Sequence, residues 1–196
     1  MAIRLSILVC STHNRYNNFL LQSLDSLFYQ WNLLQPAEQD EVEIISVIDN
    51  KKMILGDKRS KMVEMAQGEY VAFFDCDDRP SSDYIDQLLA ATKQESDVIV
   101  FDVMVSINGA PAKLCQYSKE YNSDYNDLGG YYRLPNHLMC VKRELAIQIK
   151  FKSVLFGEDA DYAKRLKPLL KTEYNIGKVL YYYDFNSKTT ETQVKR

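Results

Sequence analysis

The sequence feature that most constrains the fold is the segment Glu69-Tyr-Val-Ala-Phe-Phe-Asp-Cys-Asp-Asp78, in which an apolar run changes abruptly into carboxylates. A short apolar run next to Gly68 is typical of a strand that is buried on both faces of a sheet. The carboxylates of Asp75, Asp77 and Asp78 repel one another and raise each other's pKa values unless a cation lies among them. Oxygen ligands at this density favour Mg²⁺ or Mn²⁺ over zinc, so the segment predicts a divalent metal that holds an anionic group such as a diphosphate. The alternative is an acidic turn that caps the following helix.

Strand-like and helix-like patterns alternate along the first half of the chain. Four β-branched or apolar runs are typical of strands: 3–10, 42–48, 71–74 and 97–105. Segments of helical length separate them, and this order predicts a mainly parallel central sheet flanked by helices, with right-handed crossovers. The fold class is therefore α/β, of the Rossmann-like kind.

The pattern changes after residue 105. Asn108-Gly109 predicts a hairpin turn, and the Tyr- and Asp-rich stretch that follows predicts a small antiparallel and loop region. Beyond it we expect a helix over 139–149, a helix over 157–170 and a last strand over 178–185. The chain then reads as one domain over residues 1–185, followed by a polar tail over 186–196.

Composition excludes some classes of protein. The net charge of −3 gives no support for nucleic-acid binding, so a nucleic-acid acceptor stays open but unsupported. The four cysteines contain no C-x-x-C pair, and we expect reduced thiols in a cytoplasmic protein. No signal peptide is expected, and no apolar run approaches the ~18 residues of a membrane span. Peripheral attachment to a membrane and homo-oligomerisation stay open.

Four segments, taken in order, carry a family resemblance. They are Ser6-Ile-Leu-Val-Cys-Ser-Thr-His-Asn-Arg15, Val42-Glu-Ile-Ile-Ser-Val-Ile-Asp49, Met65-Ala-Gln-Gly-Glu-Tyr-Val-Ala-Phe-Phe-Asp-Cys-Asp-Asp78 and Phe156-Gly-Glu-Asp-Ala-Asp-Tyr162. With these segments the chain resembles the family 2-type glycosyltransferases of the GT-A fold. The third segment, with its Asp-x-Asp, is the strongest single match.

The resemblance implies an inverting, metal-dependent transfer of a sugar from a nucleotide diphosphate donor to a hydroxyl acceptor such as a glycan. A UDP-sugar is the favoured donor, with thymidine and guanosine donors left open. Asp77 would be the main ligand of Mn²⁺ or Mg²⁺, assisted by Asp75, because the metal neutralises the leaving diphosphate. Asp159 would be the base that takes the proton of the acceptor hydroxyl, with Glu158 as the rival.

The resemblance also implies a set of donor-binding residues: Thr12, Asn14, Arg15, Asp49, Arg59, Asp75, Cys76 and His137. For His137, contact with the donor and a purely structural role are both open. The chain departs from the family pattern at Ser11, where the family has proline. It also departs at Asp49-Asn50-Lys51-Lys52, where the family commonly has Asp-Asp-Gly-Ser, and this predicts a reshaped nucleotide loop.

Two other functions and one group of residues stay open. A nucleotidyltransferase uses the same metal chemistry, although the first loop lacks a Gly-rich phosphate cradle. A non-catalytic nucleotide-sugar-binding module is the other alternative, against which Glu158-Asp159 argues. The tyrosines after residue 116 either stack on sugar faces or serve as amphipathic packing; they are Tyr117, Tyr121, Tyr125, Tyr131 and Tyr132.

Overall fold

The computed structural model describes residues 2–187, so most of the predicted tail over 186–196 lies outside the described residues. Within residues 2–187, ten strands form one sheet. In chain order they are β1 Leu5–Thr12, β2 Val42–Asp49, β3 Tyr70–Phe73, β4 Arg79–Pro80, β5 Val98–Ile107, β6 Lys113–Tyr117, β7 Tyr125–Asn126, β8 Tyr131–Arg133, β9 Cys140–Lys142 and β10 Glu173–Phe185.

Six α-helices accompany the sheet within the described range. They are α1 Leu21–Leu33, α2 Pro36–Gln39, α3 Leu55–Met65, α4 Tyr84–Thr92, α5 Arg143–Ile149 and α6 Glu158–Leu166. A 3₁₀ turn, His13–Arg15, and a π-helical turn, Tyr16–Leu20, lead from β1 into α1. No helix in the described part of the chain combines the length and the apolar character that crossing a membrane requires.

The central sheet has the predicted α/β organisation. β1 lies between β2 and β3 and is parallel to both. Because these two neighbours lie on opposite sides of β1, right-handed crossovers put α1 and α3 on opposite faces of the sheet. Helix α4 packs on α1, while α5 packs on α3 and α6. All eight residues of β1 are buried, which is the expected character of a central strand covered by helices on both faces.

Two elements differ from the sequence-based prediction. Residues 139–149 were predicted as one helix, but β9 occupies Cys140–Lys142 and only Arg143–Ile149 is helical. β9 inserts between β3 and β5 and is antiparallel to both. Its three residues are too few to show a period, and the apolar Met139–Val141 run fits a buried strand as well as a helix. The last strand also begins earlier, at Glu173, than the predicted residue 178.

The edges of β5 determine where the second half of the chain lies. β10 is parallel to β5 and occupies one edge over its whole length. On the other edge, β9 pairs with the start of β5 and β6 pairs with its end. The predicted hairpin turn is present between β5 and β6, with positive φ at Asn108 and Gly109. β6, β8 and β7 therefore extend to the same side of β5 as β3, beyond the point where β3 ends.

Candidate active site

The first carboxylate of the Asp-x-Asp segment lies at the carboxyl end of β3, where an open α/β sheet binds its ligands. Asp75 Oδ1 accepts a hydrogen bond from Arg59 Nη2 at 2.9 Å, and Asp75 Oδ2 lies 3.2 Å from His137 Nε2. Burial by itself raises the pKa of Asp75, but the charges of Arg59 and His137 outweigh burial and hold the pKa below its usual value. Asp75 is therefore a carboxylate held in place by two cationic or hydrogen-bonding side chains.

The second carboxylate, Asp77, pairs with a different arginine. Arg15 Nη2 lies 2.6 Å from Asp77 Oδ2, and the guanidinium of Arg15 stacks over the ring of Phe19 at 4.5 Å. Partial burial and the charge of Asp75 raise the pKa of Asp77, against the lowering effect of Arg15. The Asp77 side chain keeps 26% of its surface exposed, so it can reach a ligand from its present position.

The third carboxylate, Asp78, points inward. Its Oδ2 accepts a hydrogen bond from the Tyr181 hydroxyl at 2.6 Å, and only 5% of Asp78 is exposed. The same Tyr181 hydroxyl accepts a hydrogen bond from the Asp75 N–H at 3.2 Å. Burial, together with the nearby charge of Asp75, raises the pKa of Asp78 well above its usual value. Asp78 thus holds β10 against the acidic segment and does not face a ligand.

Arg59 joins the two acidic segments, which are far apart in the sequence. Its Nη2 binds Asp75, and its Nη1 binds Glu158 Oε1 at 2.8 Å. The guanidinium is 4% exposed and lies between the rings of Phe73 and Phe151, at 5.7 and 5.8 Å from their centroids. A single buried cation thereby brings the start of α6 to the carboxyl end of β3.

The two acidic residues at the start of α6 have different surroundings. Glu158 is 4% exposed and is paired with Arg59, whereas Asp159 is only half-buried. Burial raises the pKa of Glu158, and Arg59 offsets part of that rise. Gly157, with a φ of 77°, turns the chain into the helix, and the Asp159 carboxylate accepts only from the neighbouring N–H of Ala160, at 2.8 Å, among the hydrogen bonds described for it.

Tyr183 of β10 is affected by the charges of both acidic segments. The Tyr183 hydroxyl has a raised pKa because of burial and because of the negative charges around it. Those charges belong to Asp78, Asp75, Asp77 and Asp159. Together with the Arg59 bridge, this indicates that the acidic segment after β3 and the start of α6 lie near each other.

His137 reaches this site from the segment between β8 and β9. It is 6% exposed, its carbonyl accepts from the Phe73 N–H at 3.2 Å, and its ring contacts Asp75. Its Nδ1 is buried without a hydrogen-bond partner. The histidine therefore contacts the acidic segment and supports the end of β3, and its contact with a donor stays a prediction.

The predicted nucleoside side lies at the ends of β1 and β2, where Thr12 and Asp49 are register partners. The Asp49 carboxylate is already engaged: Oδ2 accepts from the N–H groups of Lys52 and Met53 at 2.7 and 2.8 Å, and Oδ1 pairs with Lys58. Hydrogen bonds and the Lys58 charge lower the pKa of Asp49 despite partial burial. In this chain the Asp49 carboxylate stabilises the loop that follows β2.

The remaining predicted donor residues lie in the same corner of the molecule. The Thr12 hydroxyl donates to Asn14 Oδ1 at 2.7 Å, and Asn14 is exposed. The Cys76 thiol is buried and accepts from the Ser11 hydroxyl at 3.4 Å. Ser11, which replaces the family's proline, thus ties the first loop to the acidic segment.

Two residues of this corner were not expected from the sequence. Lys58 is 3% exposed and binds both Asp49 and the Ser11 carbonyl, at 2.8 Å for the latter. Tyr181 lies between Asp75 and Asp78. The sequence feature that could have pointed to Lys58 is its position next to Arg59 in a helix. For Tyr181 that feature is its place in the run of three tyrosines in β10. Neither feature distinguishes a site residue from ordinary packing.

The carboxylates of this site can bind a divalent metal only if a bound ligand and water supply further oxygen atoms. Among the described residues, no group of three or more Asp, Glu, His or Cys side chains converges as a metal cage. Mg²⁺ commonly takes one or two carboxylates and completes its shell with phosphate and water oxygens. The exposed edge of Asp77 meets that requirement. A cavity of about 700 Å³, lined by Arg4, Gly68 and Arg143 among others, lies at the amino ends of the strands, away from these carboxylates.

Comparisons with known proteins agree with this geometry. Residues 51–143 match the model of the family described as glycosyl transferase family 2. A putative glycosyltransferase of Bacillus subtilis (strain 168), EpsH, is 39% identical over 54 residues, which are 28% of this chain and 16% of EpsH.

Solved structures share the fold. The structure of S. aureus TarS 1-349 in complex with UDP-GlcNAc superposes with a TM-score of 0.69 at 15% identity and covers 99% of this chain. The TarS 1-349 complex with UDP superposes with a TM-score of 0.66 at 15% identity and covers 95% of this chain. The chain spans about three fifths of each of these structures, 61% and 62%. The similarity to glycosyl transferase family 2 thus covers a little under half of this chain, and the similarity to the TarS structures is one of fold.

Proposed function

We propose that this protein transfers a sugar, with inversion, from a UDP-sugar to a hydroxyl of a glycan, with Mn²⁺ or Mg²⁺ as cofactor. The observation that carries the proposal is the Arg59 bridge. Arg59 binds Asp75, 16 residues away in the sequence, and Glu158, 99 residues away, and so brings the acidic segment after β3 next to the start of α6.

Asp159 is the base in this proposal. A general base must reach the proton that it removes, and its carboxylate must be free to accept it. Glu158 is buried and its charge is engaged by Arg59, whereas Asp159 keeps an accessible carboxylate beside it. Glu158 is then a positioning residue: through Arg59 it holds the start of α6 at a defined distance from Asp75.

Asp77, with help from Asp75, holds the metal. A bound Mn²⁺ or Mg²⁺ supplies neutralisation of the negative charge that develops on the leaving diphosphate. Arg15, which now pairs with Asp77, lies next to that charge and is a second cation available to a phosphate oxygen. His137 and Arg59 keep Asp75 ionised and oriented.

The preference for uridine has two supports. TarS, which shares the fold, has been solved with UDP and with UDP-GlcNAc. The ends of β1 and β2, with Thr12 and Asn14, offer polar groups for a base at the edge of the sheet. Because Asp49 is engaged by Lys58 and by its own loop, we expect the base to be read mainly by the first loop.

The first experiment measures the melting temperature with UDP, GDP and dTDP, each with and without Mn²⁺. A ligand that binds only the folded state stabilises it and so raises the melting temperature. At a concentration of 100 times its Kd, the stabilisation is about 2.7 kcal/mol. We expect a shift with UDP that requires the metal. A shift with none of the three nucleotides in the presence of Mn²⁺ contradicts the proposal. Release of pyrophosphate from UTP in a companion assay supports a nucleotidyltransferase instead.

The second experiment compares Asp159→Asn with Asp161→Asn. Both residues lie in the first turn of α6, but Asp161 is paired with Arg165 and Lys152. We expect Asp159→Asn to keep the UDP-dependent shift and to slow UDP release from UDP-sugars about 10²–10⁴-fold, the usual value of a general base. Asp161→Asn should leave the rate within a factor of a few. Equal rates for Asp159→Asn and the unaltered protein would show that Asp159 is not the base.

A further inference from the structure

A cluster of three tyrosines lies outside the site described above, on the segment between β6 and β8 and on β8 itself. We call Tyr121, Tyr125 and Tyr132 the tyrosine platform. The rings of Tyr125 and Tyr132 stack face to face, with centroids 4.5 Å apart and an interplanar angle of 8°. Tyr121 meets both rings edge-on, at 5.6 and 5.7 Å. Tyr125 is 45% exposed, whereas Tyr121 and Tyr132 are half-buried, so the cluster faces solvent mainly through Tyr125.

The platform is built rigidly. Asp127 Oδ1 accepts from the N–H groups of Gly129 and Gly130 at 2.7 and 3.0 Å, and the nearby Asp127 carboxylate contributes to the raised pKa of the Tyr132 hydroxyl, whose largest cause is burial. A Cβ at Gly130 would lie 2.4 Å from the Leu114 carbonyl oxygen, so this turn needs glycine to pack directly against β6. The rings are therefore held in place before any ligand arrives, which lowers the entropy cost of binding.

The backbone of the hairpin is anchored as well. Arg133 Nη1 donates to the Tyr125 carbonyl at 2.8 Å and to Asn126 Oδ1 at 2.7 Å. The Lys167 ammonium, just beyond α6, donates to the Tyr121 carbonyl. The platform is thus fixed both to its own hairpin and to the helix that carries Asp159.

The platform faces the same side of the sheet as α6. Tyr132 is the register partner of Gln116, whose side chain bonds with that of Asp102. The preceding residue, Phe101, packs on Tyr84 of α4, with centroids 5.9 Å apart. Because neighbouring residues of a strand point to opposite faces, Asp102, Gln116 and Tyr132 lie on the face away from α4.

The platform is also close to the end of β3. β8 and β3 each lie two strands from β5 on the same side, β3 through β9 and β8 through β6. Five residues of chain separate Tyr132 from His137, so the Cα atoms of Tyr132 and His137 are at most about 18 Å apart. His137 in turn contacts Asp75. A chain-like ligand that enters at Asp159 and Asp75 can extend along one surface to the platform.

We propose that the tyrosine platform is a remote subsite for an acceptor oligosaccharide, stacking on a sugar ring several units away from the reacting hydroxyl. This rests on the proposed function. Flat aromatic faces with polar hydroxyl edges suit sugar rings, which have an apolar C–H face and a hydroxyl rim. We expect the nucleoside base elsewhere, at the ends of β1 and β2 beside Thr12 and Asn14. The separation requires an oligosaccharide, since a monosaccharide cannot span both places.

The test is an array of immobilised oligosaccharides and their constituent monosaccharides, probed with labelled protein. The variants are Tyr125→Leu, which removes the flat ring, Tyr125→Phe, which keeps it, and Tyr29→Leu. Tyr29 is the matched control, because it is 67% exposed and lies on α1 at the other face of the sheet. Melting temperatures within about 2 °C of the unaltered protein establish that the variants are folded.

We expect retention of one or more oligosaccharides and of no monosaccharide. Tyr125→Leu should weaken that binding about tenfold, whereas Tyr125→Phe and Tyr29→Leu should keep it within twofold. The proposal is overturned if no oligosaccharide is retained, or if Tyr125→Leu binds as well as Tyr29→Leu does. The nucleotide-dependent melting shift is measured on the same variants. A normal UDP shift with unchanged array binding refutes the platform alone, whereas loss of the UDP shift in all proteins refutes the proposed function.

Discussion

Replacing Arg59 by methionine is the most informative change to the stability of this protein. The substitution keeps an unbranched apolar stem between Phe73 and Phe151 but removes the guanidinium. Asp75 and Glu158 then lose the cation that both share. His137 still contacts Asp75, but Glu158 keeps no other ion pair among those described.

The expected loss follows from the burial of these groups. Arg59 and the Glu158 side chain are exposed by only 4% and 5%, so water cannot replace the missing partner. Removing one member of a buried ion pair costs about 3–5 kcal/mol, a large share of the 5–15 kcal/mol that typically stabilises a domain. For a chain of this length that corresponds to a fall in melting temperature of about 6–20 °C.

Urea denaturation and calorimetry measure the effect, with Arg79→Met as the control. Arg79 also pairs with a carboxylate, Asp184, but its side chain is 66% exposed, and such surface pairs contribute about 0–1 kcal/mol. Adding Glu158→Gln to Arg59→Met should recover part of the loss, because the uncompensated charge is gone. A loss below about 1 kcal/mol for Arg59→Met, or no recovery in the double variant, would refute the view that Arg59 is the buried link between the two acidic segments.

Two further predictions concern packing and pH. Gly56→Ala should destabilise the protein by more than 3 kcal/mol in urea denaturation, because a Cβ there would lie 1.8 Å from the Lys152 carbonyl oxygen. In the control Gly109→Ala the new Cβ meets nothing within 4 Å, so this variant should lose only the roughly 1–2 kcal/mol that a left-handed backbone costs a residue with a side chain. Equal losses of stability in the two variants would contradict this prediction. Asp97→Ala should lose about 1–3 kcal/mol at pH 7, because the carboxylate accepts from the Lys171 and Thr172 N–H groups. These bonds, together with Lys142, lower the pKa of Asp97 in the folded state despite partial burial, so its contribution is present above the unfolded pKa of about 3.9 and is lost as the pH falls through the folded pKa. A difference between Asp97→Ala and the unaltered protein that stays constant from pH 7 to pH 2.5 would contradict that assignment.

The main strands were predictable because they carry a strong local signal. β1 and β3 are short apolar runs buried on both faces, and the type of the turn at Asn108-Gly109 follows from residues that tolerate positive φ. β9 could not be predicted in the same way. Three residues are too short for a period, and Cys140–Lys142 becomes a strand only because β3 and β5 leave a space between them.

The α/β class, the order of the main elements and the two acidic segments could all be recognised before folding was considered, because hydrophobic period and residue type are local properties of the chain. Only the tertiary structure decided what each carboxylate does. Asp78 turns inward to Tyr181, Asp49 is engaged by Lys58, and Glu158 is neutralised by Arg59, which leaves Asp159 accessible. A carboxylate's role depends on its burial and on its partner, and for Glu158 and Asp78 that partner lies 99 and 103 residues away in the sequence.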